Sequence, residues 1–131
     1  MRNIKFRASD KESKVMRYNA EQAYNGCYQM NDVQYFGQLI NNNKYKLMQY
    51  SGCKDINGIE IYEGDIVHLF GYGEYEGVDY NGLVIFKDGG FCVIDGLEDD
   101  YSFARYDFNK CGIEVTVIGN IYDNPDLLEV N

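Results

Sequence analysis

The chain has 131 residues, 45% of them apolar, with 14 glycines, one proline, no tryptophan and a net charge of −9. That length suits one domain, residues 1–131, able to bury about two-thirds of its unfolded surface without disulfides or metals. No apolar run reaches the roughly eighteen residues of a membrane helix, and the N-terminus lacks the apolar stretch of a signal peptide, so a cytoplasmic protein is expected.

The charge is uneven. Residues 1–17 hold six basic and two acidic groups, a balance of +4; residues 18–54 hold three and two, a balance of +1. From Asp55 onward only Lys87, Arg105 and Lys110 oppose seventeen carboxylates, a balance of −14. Direct nucleic-acid binding is disfavoured, because phosphate contacts need concentrated Lys and Arg. An acidic face suits a basic partner or, more simply, solubility.

In chain order, Ile4-Lys5-Phe6-Arg7-Ala8 alternates apolar and charged residues, the period of a strand with one wet face. Ser9 to Ser13 is turn-like, and Val15-Met16-Arg17-Tyr18 returns to close a hairpin. Ala20 to Tyr24 suits one helical turn, Val33-Gln34-Tyr35-Phe36 a short strand and Asn41-Asn42-Asn43 a loop. Lys44 to Tyr50 alternates again. Asp55-Ile56-Asn57-Gly58 reads as a tight turn, since Asn-Gly tolerates the positive φ angles of two-residue hairpin loops. Glu63-Gly64-Asp65 is a second reversal, and Ile66 to Phe70 is a strand apolar on both faces, hence central.

Gly71 to Gly82 reads as a twelve-residue loop rich in Gly, Tyr and acid. Leu83–Lys87 and Phe91–Ile94 form a hairpin through Asp88-Gly89-Gly90, followed by an acidic loop from Asp95 to Asp100. Tyr101 to Phe108 supplies a further strand, and Ile113 to Tyr122 is a long β-branched closing strand. Asn124-Pro125-Asp126 caps and starts a short C-terminal helical turn. About eight short strands with little helix define the class. It is mostly β, either a small barrel (SH3-like or similar) or packed short sheets with hairpins, with minor helix including the C-terminal turn.

Three blocks taken together resemble the YopX family of phage and prophage proteins. They are Ile4 to Lys11, the run Leu47 to Val67, and Val117 to Leu128. Within the second block the order is strand, turn, short strand, turn, strand. Two positions depart from the family pattern: Ser9 stands where Trp is usual, and Cys53 where an aliphatic residue is common. The resemblance implies a small phage- or prophage-encoded protein in the bacterial cytoplasm, and it carries no catalytic residue set to transfer.

Each chemical candidate has a bland alternative. His68, the one histidine, is a general base if Asp65 or a tyrosine lies beside it, and otherwise a hydrogen-bonded strand residue. Cys27, Cys53, Cys92 and Cys111 lack the close pairs of a structural zinc site and read as buried, reduced thiols. Asp55 to Glu60 faintly resembles a calcium loop, but Gly58 comes too early for that geometry. Gly71-Tyr72-Gly73-Glu74-Tyr75-Glu76-Gly77 fails the dinucleotide pattern at Glu76, and its glutamates repel phosphate. Asp95, Glu98, Asp99 and Asp100 are at most a loose cation site. No cofactor or metal is implied.

What folding explains least is the set of tyrosines and acids in the two acidic loops: Tyr72, Glu74, Tyr75, Glu76, Asp79, Tyr80, Glu98, Asp99, Asp100 and Tyr101. Tyr offers a large contact area with few rotors, and the interleaved carboxylates select a basic partner. The alternative has some of these rings closing one end of a barrel. The expectation is a non-enzymatic accessory protein acting through a protein partner or self-association as a homo-oligomer. Its rival is an acidic DNA mimic that inhibits a host nucleic-acid enzyme. A small hydrolase, a nucleotide-binding module and an SH3-like nucleic-acid binder rank below both.

Overall fold

A computed structural model describes residues 4–22, 45–87, 90–94, 100–102 and 112–128, with the side chains of 22, 87 and 100–102 excepted. The expected strand at 33–36, the loop at 41–43, residues 95–99 of the expected loop 95–100, and residues 103–108 lie outside the described residues, as do Cys27 and Cys111; Asp100, expected in that loop, instead opens a strand, Asp100–Ser102. The chain forms two compact units, Met1–Tyr50 and Ser51–Asn131.

In the first unit, β1 (Phe6–Asp10) pairs antiparallel with β2 (Met16–Tyr18) on one side and with β3 (Tyr45–Lys54) on the other. The register sets Arg7 opposite Tyr18 and Met48. The expected hairpin is present, but β1 has no wet face. As the central strand it is buried from Arg7 through Asp10, and Arg7 is 3% exposed with its guanidinium 5.9 Å from the Tyr18 ring centroid. Ser9 is buried too. The hairpin is closed by Asp10, whose Oδ1 accepts the amides of Glu12 and Ser13. A 3-10 turn at Ala20–Gln22 follows, and Glu21 accepts the Phe6 amide at 2.9 Å.

Strand β3 runs on into the second unit, where its neighbour is β4 (Glu60–Tyr62). The other strands are β5 (Asp65–Gly71), β6 (Asp79–Lys87), β7 (Gly90–Ile94), β8 (Asp100–Ser102) and β9 (Ile113–Asn120). They form a five-stranded antiparallel sheet in the order β8-β7-β6-β5-β9, curled as a half-barrel. β5 is paired on both sides, with β6 and β9, but the expectation of two covered apolar faces is met only in part, because Phe70 is exposed on the outer face. The core cluster is Ile61, Val67, Leu69, Val84, Val93, Ile113 and Val115. Between Ile66 and Val67 the β5–β9 register slips, which leaves Ile118 as the extra residue of a bulge.

Two expectations are corrected. The twelve-residue loop is only seven residues, 72–78, because Asp79 to Gly82 already belong to β6, with Tyr80 opposite Leu69 and Asn81 opposite His68. Glycine 82 sits inside the strand because the Val93 side chain and the Ile94 carbonyl occupy the space a Cβ would need. The turn after β3 is not a two-residue Asn-Gly loop. Gly58 has φ +82°, but Asn57 is not in the positive-φ region, and Asp55 and Ile59 pair across three loop residues. This is a type I turn followed by a left-handed glycine.

The C-terminal turn is a 3-10 turn, Pro125–Leu128, packed against β6. The Asn124 side chain does not cap it; its Oδ1 reaches back to accept the Asn120 amide.

Candidate functional site

The run Leu47 to Val67 is organised by one carboxylate. Asp55 is 3% exposed, and its Oδ1 accepts the amides of Asn57 at 2.8 Å and Ile59 at 2.9 Å. Its Oδ2 accepts the Val117 amide at 2.9 Å, and the Ile56 amide donates to the Val115 carbonyl. The turn therefore supplies partners to β9, the last strand of its sheet. Oxygens surrounded by N–H donors do not serve a cation, so the calcium-like spacing is turn chemistry. Asp65, 1% exposed, accepts the Tyr62 amide. Among the described residues no group of three His, Cys, Asp or Glu side chains is arranged to hold a metal. Cys53 is half-buried and Cys92 is buried, each as a thiol.

His68 meets neither Asp65 nor a tyrosine. Its Nε2 lies 2.9 Å from Asp79 Oδ1, and its Nδ1 lies 2.8 Å from Asn81 Oδ1. Asn81 in turn donates through Nδ2 to the Leu127 carbonyl. That bond orients the amide, so the oxygen faces the imidazole. His68 thus joins two neighbouring strands and, through Asn81, the C-terminal turn. Sequence reasoning missed Asp79 and Asn81 as its partners, because they were assigned to a loop. The signal was present in the register: once β5 and β6 pair, His68 lies opposite Asn81 and diagonal to Asp79.

The loop 72–78 is tied at both ends. Gly71 donates to the Val78 carbonyl, Tyr72 to the Gly112 carbonyl, and a 3-10 turn spans Gly73–Tyr75. Tyr75 and Tyr80 pack against the core cluster, so their rings serve the core. Tyr72, Glu74, Glu76 and Asp79 are exposed, Asp79 by 63% of its side chain. Glu98 and Asp99 lie outside the described residues, and Asp100 and Tyr101 are placed in β8 by backbone alone.

The outer face of the sheet carries a second feature. Phe70, 47% exposed, has Asp79 directly opposite on β6 and Glu114 directly opposite on β9. Tyr72, also 47% exposed, follows two residues along.

The fold and these sites define a mostly-β protein of two antiparallel sheets, with an acidic, partly aromatic outer surface on the larger one. A family model described as YopX protein matches residues 5–129, and the chain belongs to the YopX family. In structure it is similar to protein EF1440 from Enterococcus faecalis, with a TM-score of 0.64 and 26% identity over 98% of this chain and 100% of that one. It is also similar to protein yopX from Bacillus subtilis, with a TM-score of 0.61 and 23% identity over 98% and 100% of the two chains. That second likeness is one of fold alone. No curated protein matches the chain. No helix among the described residues is long and apolar enough to cross a membrane.

Proposed function

We propose that this protein is a non-enzymatic phage or prophage accessory protein of the bacterial cytoplasm, acting by protein contact or self-association. The observation that carries the reading is how its polar groups are used. Asp10, Asp55 and Asp65 accept backbone amides, and the single histidine has an Asp79 oxygen beside one ring nitrogen and an Asn81 oxygen beside the other. The exposed groups are instead a tyrosine and carboxylates on a scaffold tied at both loop ends, which is the composition of a contact surface for a basic partner. No cofactor enters this reading.

The test is affinity capture from host lysate with the wild-type chain and with a Glu74→Gln/Glu76→Gln/Asp79→Asn variant. A partner, or a self-assembly, present with the wild type and lost with the variant supports the reading. A monomer that captures nothing at any salt concentration overturns it. The acidic second unit also motivates a DNA-mimicking inhibitor. That reading requires the same amide substitutions to abolish inhibition of a nucleic-acid enzyme, and unchanged inhibition ends it.

A further inference from the structure

We infer that the outer face of β9-β5-β6 is a cradle for an arginine or lysine side chain of a basic protein segment, with Phe70 as its floor and Glu114 and Asp79 as its walls. The inference rests on the contact-surface reading above and deepens it by naming the place and the chemistry of the partner.

Three observations converge on this spot. The first is apolar exposure where a sheet face would otherwise be polar. Phe70 shows 47% of its surface, and it makes no ring contact with another aromatic among the described residues. The second is register. Phe70 faces Asp79 on one side and Glu114 on the other, so one aromatic ring is flanked by two carboxylates on the same sheet face. The third is the state of those carboxylates. Asp79 is held by His68 at 2.9 Å, whereas the half-buried Glu114 has no side-chain hydrogen bond or ion pair among the described residues.

A partly desolvated carboxylate beside an exposed ring matches a guanidinium or ammonium group. The cation stacks on the ring face and meets the carboxylate at its edge. Arg suits the site better than Lys because its planar fork does both at once. Charge selects the class of partner. The second unit has four basic against seventeen acidic groups, a balance of −13. A nucleic-acid backbone is repelled there, and a basic segment is steered in.

The test uses the full chain and a short fluorescent arginine–glycine peptide, with its glutamate-substituted counterpart as the control. Binding is read by anisotropy, and the site by amide chemical shifts. The expected result is shifts centred on His68–Phe70, Asp79–Asn81 and Glu114–Thr116. Phe70→Leu, which keeps an apolar side chain and the fold, should weaken binding about fivefold, and Phe70→Tyr should leave it within about twofold. Glu114→Gln should weaken it about threefold, with a shallower salt dependence.

Equal affinity of wild type, Phe70→Leu and Glu114→Gln would overturn the cradle, as would shifts elsewhere on the acidic surface. Binding that emerges only after Arg105→Ala or Lys110→Ala would also overturn it, because the chain's own cation would then be the occupant. The capture experiment does not depend on Phe70, so it judges the wider reading separately.

Discussion

At the scale of single residues, the most consequential side chain is Asp55. Its carboxylate serves two amides of its own turn and one amide 62 positions away on β9. Removing it leaves three part-buried donors without their acceptor. Asp55→Ala should therefore cost about 2–4 kcal/mol in urea unfolding. Asp55→Asn should cost less, since the remaining oxygen can serve Asn57 and Ile59 while the amide nitrogen opposes the Val117 N–H. The exposed Asp126 is the control, and its replacement by Ala should stay within about 0.5 kcal/mol. The turn itself was legible, because Asp, Asn and Gly each favour reversal for a stated reason. The partner on β9 was not. No local pattern announces that a turn carboxylate will accept a distant strand's amide.

The same limit governs His68. Its contact with Asp79 is solvent-exposed, with 37% and 63% of the two side chains accessible, so a double-mutant cycle of His68→Gln with Asp79→Asn should give a coupling of about 0.5 kcal/mol or less. A coupling several times larger would mean that the pair is far drier than its surroundings indicate.

At the scale of elements, the two kinds of glycine separate cleanly. Gly58 has a positive φ but nothing within 4 Å of a built Cβ. Gly58→Ala therefore incurs only the left-handed backbone penalty, about 1–2 kcal/mol. Gly71 has ordinary φ, yet a Cβ there would collide with the Tyr75 carbonyl, and Val78 Cβ would lie only 2.9 Å away. That carbonyl accepts the Val78 amide, so it cannot simply move aside. Gly71→Ala should cost about 2–4 kcal/mol, more than Gly58→Ala, when thermal melts of the two are compared. The reverse order would mean that the 72–78 loop yields easily.

These glycines also explain which elements could be read in advance. The N-terminal hairpin, the β3-β4-β5 run and the β6–β7 pairing followed from alternation and turn residues. The start of β6 did not. Gly, Tyr and acid in 71–82 carry loop propensities, and only the fit of Gly82 under Val93 and the pairing of Tyr80 with Leu69 place that segment in the sheet. The dryness of β1 was hidden for a similar reason. Its alternating charges suggest a wet face, but a strand paired on both sides is central, and there Arg7 lies beside Tyr18.

At the scale of the whole molecule, charge and structure divide the chain at nearly the same place. The first unit carries eight basic and four acidic groups, a balance of +4, against −13 in the second. The sign changes at Asp55, four residues beyond the boundary between Tyr50 and Ser51. Composition made this asymmetry visible, but it did not show where the carboxylates sit. Asp55 and Asp65 are buried among backbone amides, whereas Glu74, Glu76, Asp79, Asp123 and Asp126 are exposed among the described residues and contribute to the outward field.

Self-repulsion among such groups opposes the compact state and is screened by salt. Raising sodium chloride from low concentration to about 0.3 M should therefore stabilise the protein by about 1 kcal/mol, seen as a rise of about 4 °C in Tm. The Glu74→Gln/Glu76→Gln/Asp79→Asn variant should start from a higher Tm at low salt and gain less on salt addition. A Tm that falls with salt would mean that attraction between opposite charges outweighs crowding of like ones.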